Sequence, residues 1–175
     1  MPVDMKSVIS TTFVNMAKEK GVDKITVKSL IEACHISCQS FYYHFQDIME
    51  VIEWSLKQAA QDMLVRSQKA ENPEEALVIL ISSAVANRTL VRKLLASQKR
   101  EQIEKMFVQT ARSYLQALLQ TKSQTIPSSY AETETALDFW TFGITGLLFK
   151  SCEQESIDVK KMASQIGRLL PKIEE

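Results

Sequence analysis

The sequence predicts an all-α protein: a three-helix head with a helix-turn-helix, followed by a larger helical body, about nine helices in all. Only four glycines and four prolines interrupt 175 residues. Between them apolar residues recur at three-and-four spacing almost everywhere, the period of an amphipathic helix. No internal repeat or low-complexity segment overlays that pattern.

The elements follow in order. A first helix spans about Asp4 to Lys20, with Val8, Ile9, Thr12, Phe13, Met16 and Ala17 on one face, and Gly21 supplies a left-handed stop. Thr26 is the N-cap for Val27 to Cys34, and Ser37 caps Cys38 to Phe45. Asp47 caps a long fourth helix from Ile48 to about Ala70, and Pro73 sits in the first turn of the next. Helical periodicity then covers Glu74 to Ala86, Thr89 to Ser97, Lys99 to Lys122, Tyr130 to Glu153 and Val159 to Leu170. The loop Ser123 to Ser129, with Pro127, is the clearest late break.

The length suits one or two domains. The longest apolar run, Ala76 to Ala86, is broken by Ser82 and Ser83 and falls short of the roughly 18 to 20 residues that span a bilayer. The segment MPVDMKSVIS lacks the basic head and apolar core of a signal peptide. No membrane association and a cytoplasmic location are therefore expected, with Cys34, Cys38 and Cys152 as reduced thiols. The functional boundary falls at the start of the fourth helix, dividing residues 1–47 from 48–175.

Within the head, a helix-turn-helix needs a supporting helix, a tight turn and a second helix whose N-terminal face stays exposed. Leu30, Ile31, Ala33 and Cys34 can face inward from the first of these helices, Ile36 fills the turn, and Phe41 with Phe45 anchors the second from behind. Thr26, Lys28, Ser37, Cys38, Gln39, Ser40, Tyr42, Tyr43 and His44 remain outward. Short hydroxyls, an amide and phenols suit neutral hydrogen bonds to phosphates and base edges, and Gln39 can pair bidentately with adenine.

These residues resemble a known family. Ile25-Thr26-Val27, a helix containing Ala33, Ile36-Ser37 at the turn, Ser40-Phe41-Tyr42-Tyr43-His44-Phe45 and a long helix opening at Asp47 are similar to the TetR-type (tetracycline-repressor-like) transcriptional regulators. The likeness is densest over Thr26 to Val51. It implies that Thr26 and Lys28 start the supporting helix against the DNA backbone. Ser37, Cys38, Gln39 and Ser40 would then lie towards the bases, and Tyr42, Tyr43 and His44 would hold phosphates.

Phe139 to Phe149, FWTFGITGLLF, is too apolar all round to lie on a monomer's surface. Gly143 and Gly146 would let another helix approach closely. A central helix of one monomeric body fits the residues nearly as well, and the resemblance favours a homodimer packed through Trp140, Gly143, Ile144, Gly146 and Leu147. The resemblance also implies an effector pocket in the body for an unidentified small molecule. Met63, Met106, Tyr114 and Phe139 come from its Met- and aromatic-rich set, with Arg112 and Tyr114 as polar anchors; an ordinary packed core is the alternative.

The chain departs from the family pattern at two places. His35 stands where the turn usually has glycine, and Ile48 stands where a lysine commonly begins the fourth helix. Residues 1–56 carry five lysines against seven carboxylates, net −2, whereas residues 57–122 carry 11 basic and 6 acidic groups. An acidic head should bind DNA weakly, with a shallow salt dependence. No cofactor is implied. A zinc site from Cys34, His35, Cys38 and His44 would dismantle the helix-turn-helix. There is no phosphate loop, His-Glu-x-x-His or nucleophile elbow, so the chain reads as a non-enzyme. The expectation is a ligand-responsive homodimeric repressor that binds a double-stranded operator, or else a relative acting through a protein partner after DNA binding has weakened or been lost.

Overall fold

The computed structural model describes residues 4–122 and 130–169. Among these residues there are nine α-helices and no strand: α1 (Met5–Lys20), α2 (Val27–Cys34), α3 (Cys38–His44), α4 (Ile48–Ser67), α5 (Pro73–Ala86), α6 (Arg88–Leu95), α7 (Arg100–Lys122), α8 (Tyr130–Glu153) and α9 (Val159–Gly167). The loop expected at Ser123 to Ser129, and the expected end of α9 at Leu170, lie outside the described residues. No described helix is long and apolar enough to cross a membrane.

Two compact units divide the chain. The first holds residues up to 58 together with Thr89–Met106, and the second holds Ala59–Arg88 with the residues from Phe107 onward. In the first unit Ile9, Phe13, Ala17, Leu30, Ile31, Phe41, Phe45, Val51 and Ile52 are all buried. Helix α1 packs against α2 and α3. Phe45 meets Trp54 edge-on, with centroids 6.1 Å apart. In the second unit α5 packs against α8 and α9, and Leu77, Leu80, Ile81, Tyr114, Ile144, Ala163 and Ile166 form the core.

The sequence placed helix α6 and the start of α7 in the body, but they pack with the head. Val91, Leu94 and Ile103 of this segment are buried. Asp23, in a 3-10 turn at Val22–Lys24, supplies the polar part of the attachment. It accepts from the Ser97 hydroxyl at 2.6 Å and from the Gln98 amide at 3.1 Å, satisfying donors at the α6–α7 corner. The Ser97 hydrogen bond, and after it that of Gln98, holds the Asp23 carboxyl below its ordinary value of 3.8. A carboxyl depressed by folding stabilises the native state above its ordinary value and loses that contribution as pH falls through the folded one. The melting-temperature gap between the wild type and Asp23→Asn should therefore be widest above the carboxyl's ordinary value of 3.8 and narrow as pH falls below it. A gap independent of pH would show that the carboxylate contributes nothing through its charge.

Candidate nucleic-acid interface

The supporting and recognition helices are each started by a side-chain cap. Thr26 Oγ1 accepts from the Ser29 amide at 3.1 Å, and Ser29 Oγ accepts from the Thr26 amide at 3.0 Å, a reciprocal capping box that fixes the first turn of α2. Ser37 Oγ accepts from the Ser40 amide at 3.0 Å and starts α3. Between them His35 adopts the left-handed conformation, with φ 54° and ψ 43°. A tight turn needs that conformation and glycine takes it more cheaply, so the chain carries some strain at this point. The Ile36 amide still reaches the Ile31 carbonyl at 3.3 Å and closes the end of α2.

Most of the proposed DNA-facing side chains are exposed. Lys28, Cys38 and Gln39 face solvent, Ser40 and His44 are half-buried, and Tyr42 and Tyr43 are 60% and 84% exposed. Such exposure leaves both phenol hydroxyls open to solvent. Tyr43 stands edge-on to His44, centroids 5.0 Å apart, and Tyr42 edge-on to buried Phe41 at 5.4 Å. The oxygens of Thr26 and Ser37 each accept one capping hydrogen bond, which leaves the hydroxyl hydrogen and a second lone pair for another partner. The inward set needs one correction: Ala33 is exposed and Cys34 only half-buried, while Leu30 and Ile31 carry the apolar face of α2. Helix α3 ends at His44 and not at Phe45, whose extended backbone swings its buried ring under the helix.

Two further residues shape this corner. Asp47 Oδ1 accepts from the Glu50 amide at 2.9 Å, and Glu50 Oε2 accepts from the Gln46 amide at 2.6 Å. The signal for this pair was present as an Asp followed three residues later by Glu, a spacing typical of capping boxes.

On α8 the side chains divide sharply. Leu137, Thr141, Ile144, Thr145, Ser151 and Cys152 are buried, whereas Phe139 is 69% and Phe142 63% exposed, with Gly143, Gly146 and Leu147 also exposed. A β-carbon added at Gly143 or Gly146 would meet nothing within 4 Å. Ile144 belongs to the core of its own chain, and Trp140 packs partly buried against that core. Phe142 joins Phe139, Gly143, Gly146 and Leu147 in one exposed stripe.

The residues proposed for an effector do not gather in one place. Met63 packs beside the core that contains Tyr114, whose hydroxyl pairs with the Ser67 hydroxyl at 2.7 Å. Burial pushes the Tyr114 phenol up, so it stays neutral. Arg112 binds Asp138 at 2.9 Å and also Glu134, both on α8, and these partners raise its pKa further. Its charge is thus already answered. Met106 falls in the first compact unit and Phe139 on the exposed stripe.

Comparison with known proteins adds to these observations. Residues 71–172, more than half of the chain, match the TetR-type family model described as "Transcriptional regulator C-terminal region". No curated protein sequence matches significantly. Among solved structures, the dihydroxyacetone kinase operon activator DhaS is similar at a TM-score of 0.70 and 18% identity, covering 95% of this chain and 94% of its own. Lin0861 from Listeria innocua gives 0.72 and 16%, over 97% and 93%. A TetR transcriptional regulator from Rhodococcus sp. RHA1 gives 0.68 and 15%, over 96% of each chain. At such identities the likeness establishes the shared fold.

Proposed function

Because this chain belongs to the family of TetR-type transcriptional regulators, we propose that it is a homodimeric, ligand-responsive repressor whose α2–α3 head reads a double-stranded operator. The observation that carries the assignment is the exposed polar face of α3 set over buried Phe41 and Phe45. Nothing in the monomer's packing requires Gln39, Tyr42 and Tyr43 to face outward together. Lys28 at the start of α2 and the phenols at the end of α3 bracket the phosphate backbone, and Cys38, Gln39 and Ser40 lie between them against the base edges. Two heads held on one dimer would meet half-sites one helical turn apart or a multiple of it. The exposed α8 stripe supports the dimer, and membership of the family supports an effector whose ligand is a small molecule.

Fluorescence anisotropy against a duplex from the region upstream of the coding sequence, beside a random duplex, tests the assignment. Tyr42→Phe should weaken binding to both duplexes. Gln39→Ala should mainly lower discrimination, by about 1–3 kcal/mol at one base pair. An unchanged preference in Gln39→Ala refutes the base-reading role, and equal affinity of the wild type for both duplexes refutes operator recognition. A promoter fusion should fall in output when the protein is expressed; a rise would make it an activator, as one structural neighbour is named. The acidic head and the occupied start of α4 favour one second reading, a TetR-like co-regulator acting through a protein partner, which the absence of any duplex binding would select.

A further inference from the structure

The corner between α3 and α4 adjoins the residues proposed to hold phosphate, and acids build it. A helix start with open amides attracts a phosphate. In this protein Glu50 and Asp47 already take the amides of Gln46 and Glu50, and they leave negative charge at the start of α4, which follows α3 directly in the chain. Lys6 does not offset them outward: its ammonium lies over the Phe45 ring, 5.2 Å from the centroid. Ile48, at the first position of α4, brings no charge.

We propose that Asp47 and Glu50 form an acidic rim that scales down the head's affinity for every duplex, an inference that rests on the DNA-reading role assigned above. Each carboxylate repels the phosphates of specific and random DNA alike, so the rim lowers affinity without changing discrimination. A single head then holds DNA poorly. Stable occupancy requires both heads of a dimer on correctly spaced half-sites.

Glu50→Gln isolates the effect, because the amide oxygen can still accept from Gln46 while the charge is gone. Glu53→Gln is the control: it removes one charge a turn further along α4, from a carboxylate that already pairs with Lys57 at 2.6 Å. The full-length protein is titrated by anisotropy with the upstream and random duplexes at low and high salt. For Glu50→Gln both affinities should tighten at low salt by about threefold per head, or about tenfold for a two-headed dimer, and the gain should shrink at high salt as screening shortens the range of the charge. Glu53→Gln should change little. Should Glu50→Gln lower the melting temperature, Ile48→Lys adds a cation to the same corner without touching the hydrogen bonds of Asp47 and Glu50 and should tighten binding likewise.

Wild-type binding that Glu50→Gln and Ile48→Lys leave unchanged or weaker overturns the rim while the DNA-reading role stands. Equal tightening by Glu53→Gln also overturns it, since the gain would then follow net charge and not this corner. Failure of the wild type and of both corner variants to bind any duplex would instead sink the DNA-reading role and the rim with it.

Discussion

Phe41→Ala should unfold the head and abolish operator binding. Phe41 is fully buried, with its ring 6.2 Å from that of Phe45, at the point where α3 rests on α1 and α2. Removing it costs the transfer free energy of a phenyl ring and leaves a cavity, together about 3–5 kcal/mol. A small domain's whole stability is about 5–15 kcal/mol, so the loss is comparable with what holds the head together. Thermal denaturation should show the low-melting loss of the head's helices, and amides of α2 and α3 should exchange rapidly. Tyr43→Ala makes the contrast. It deletes a similar ring from a position that is 84% exposed, so it should alter stability by no more than about 0.5 kcal/mol while weakening DNA binding. If Phe41→Ala melts like the wild type, the apolar floor of α3 is not what holds the recognition helix.

Gly143→Arg should turn the proposed dimer into a monomer without harming the fold. The space around Gly143 is open in the single chain, so an added side chain meets nothing within 4 Å. Replacing a mid-helix glycine even improves helix propensity, by about 0.5–1 kcal/mol. A long cation placed between Phe139, Phe142 and Leu147 would nevertheless block close approach of a second α8 and bury an unpaired charge. Light scattering at tens of micromolar should then give the monomer mass with an unchanged or higher melting temperature. Operator affinity should fall by about 100-fold or more, because the second head no longer binds intramolecularly. A dimer that persists in Gly143→Arg would place the interface elsewhere.

Local chemistry made much of the head legible. Thr26, Ser37 and Asp47 were recognisable as caps, because a hydroxyl or carboxylate before an apolar-periodic run satisfies amides that the helix cannot. Phe41 and Phe45 were recognisable as inward by spacing, and the bounds of α8 coincide with the expected Tyr130 to Glu153. Ala33 was misplaced because alanine is small enough to sit on either side of a short helix. The attachment of α6 to the head was invisible in advance: Asp23 and Ser97 are distant in sequence, and nothing local in either residue announces the other.

Helix α8 marks the division most clearly. The amino-acid sequence by itself determined that the chain is all-helical, where its helices start, and that the 139–149 stretch of α8 is apolar all round, because these properties depend on neighbouring residues and on a fixed helical period. Only the tertiary structure decided which side of α8 is used up. With Ile144 and Trp140 turned into their own chain's core and Phe139, Phe142, Gly143 and Leu147 left outside, the rotation of the helix is set by what α5 presents to it. A helix that is hydrophobic all round gives no preferred direction of its own, so its orientation can come only from packing against distant parts of the chain.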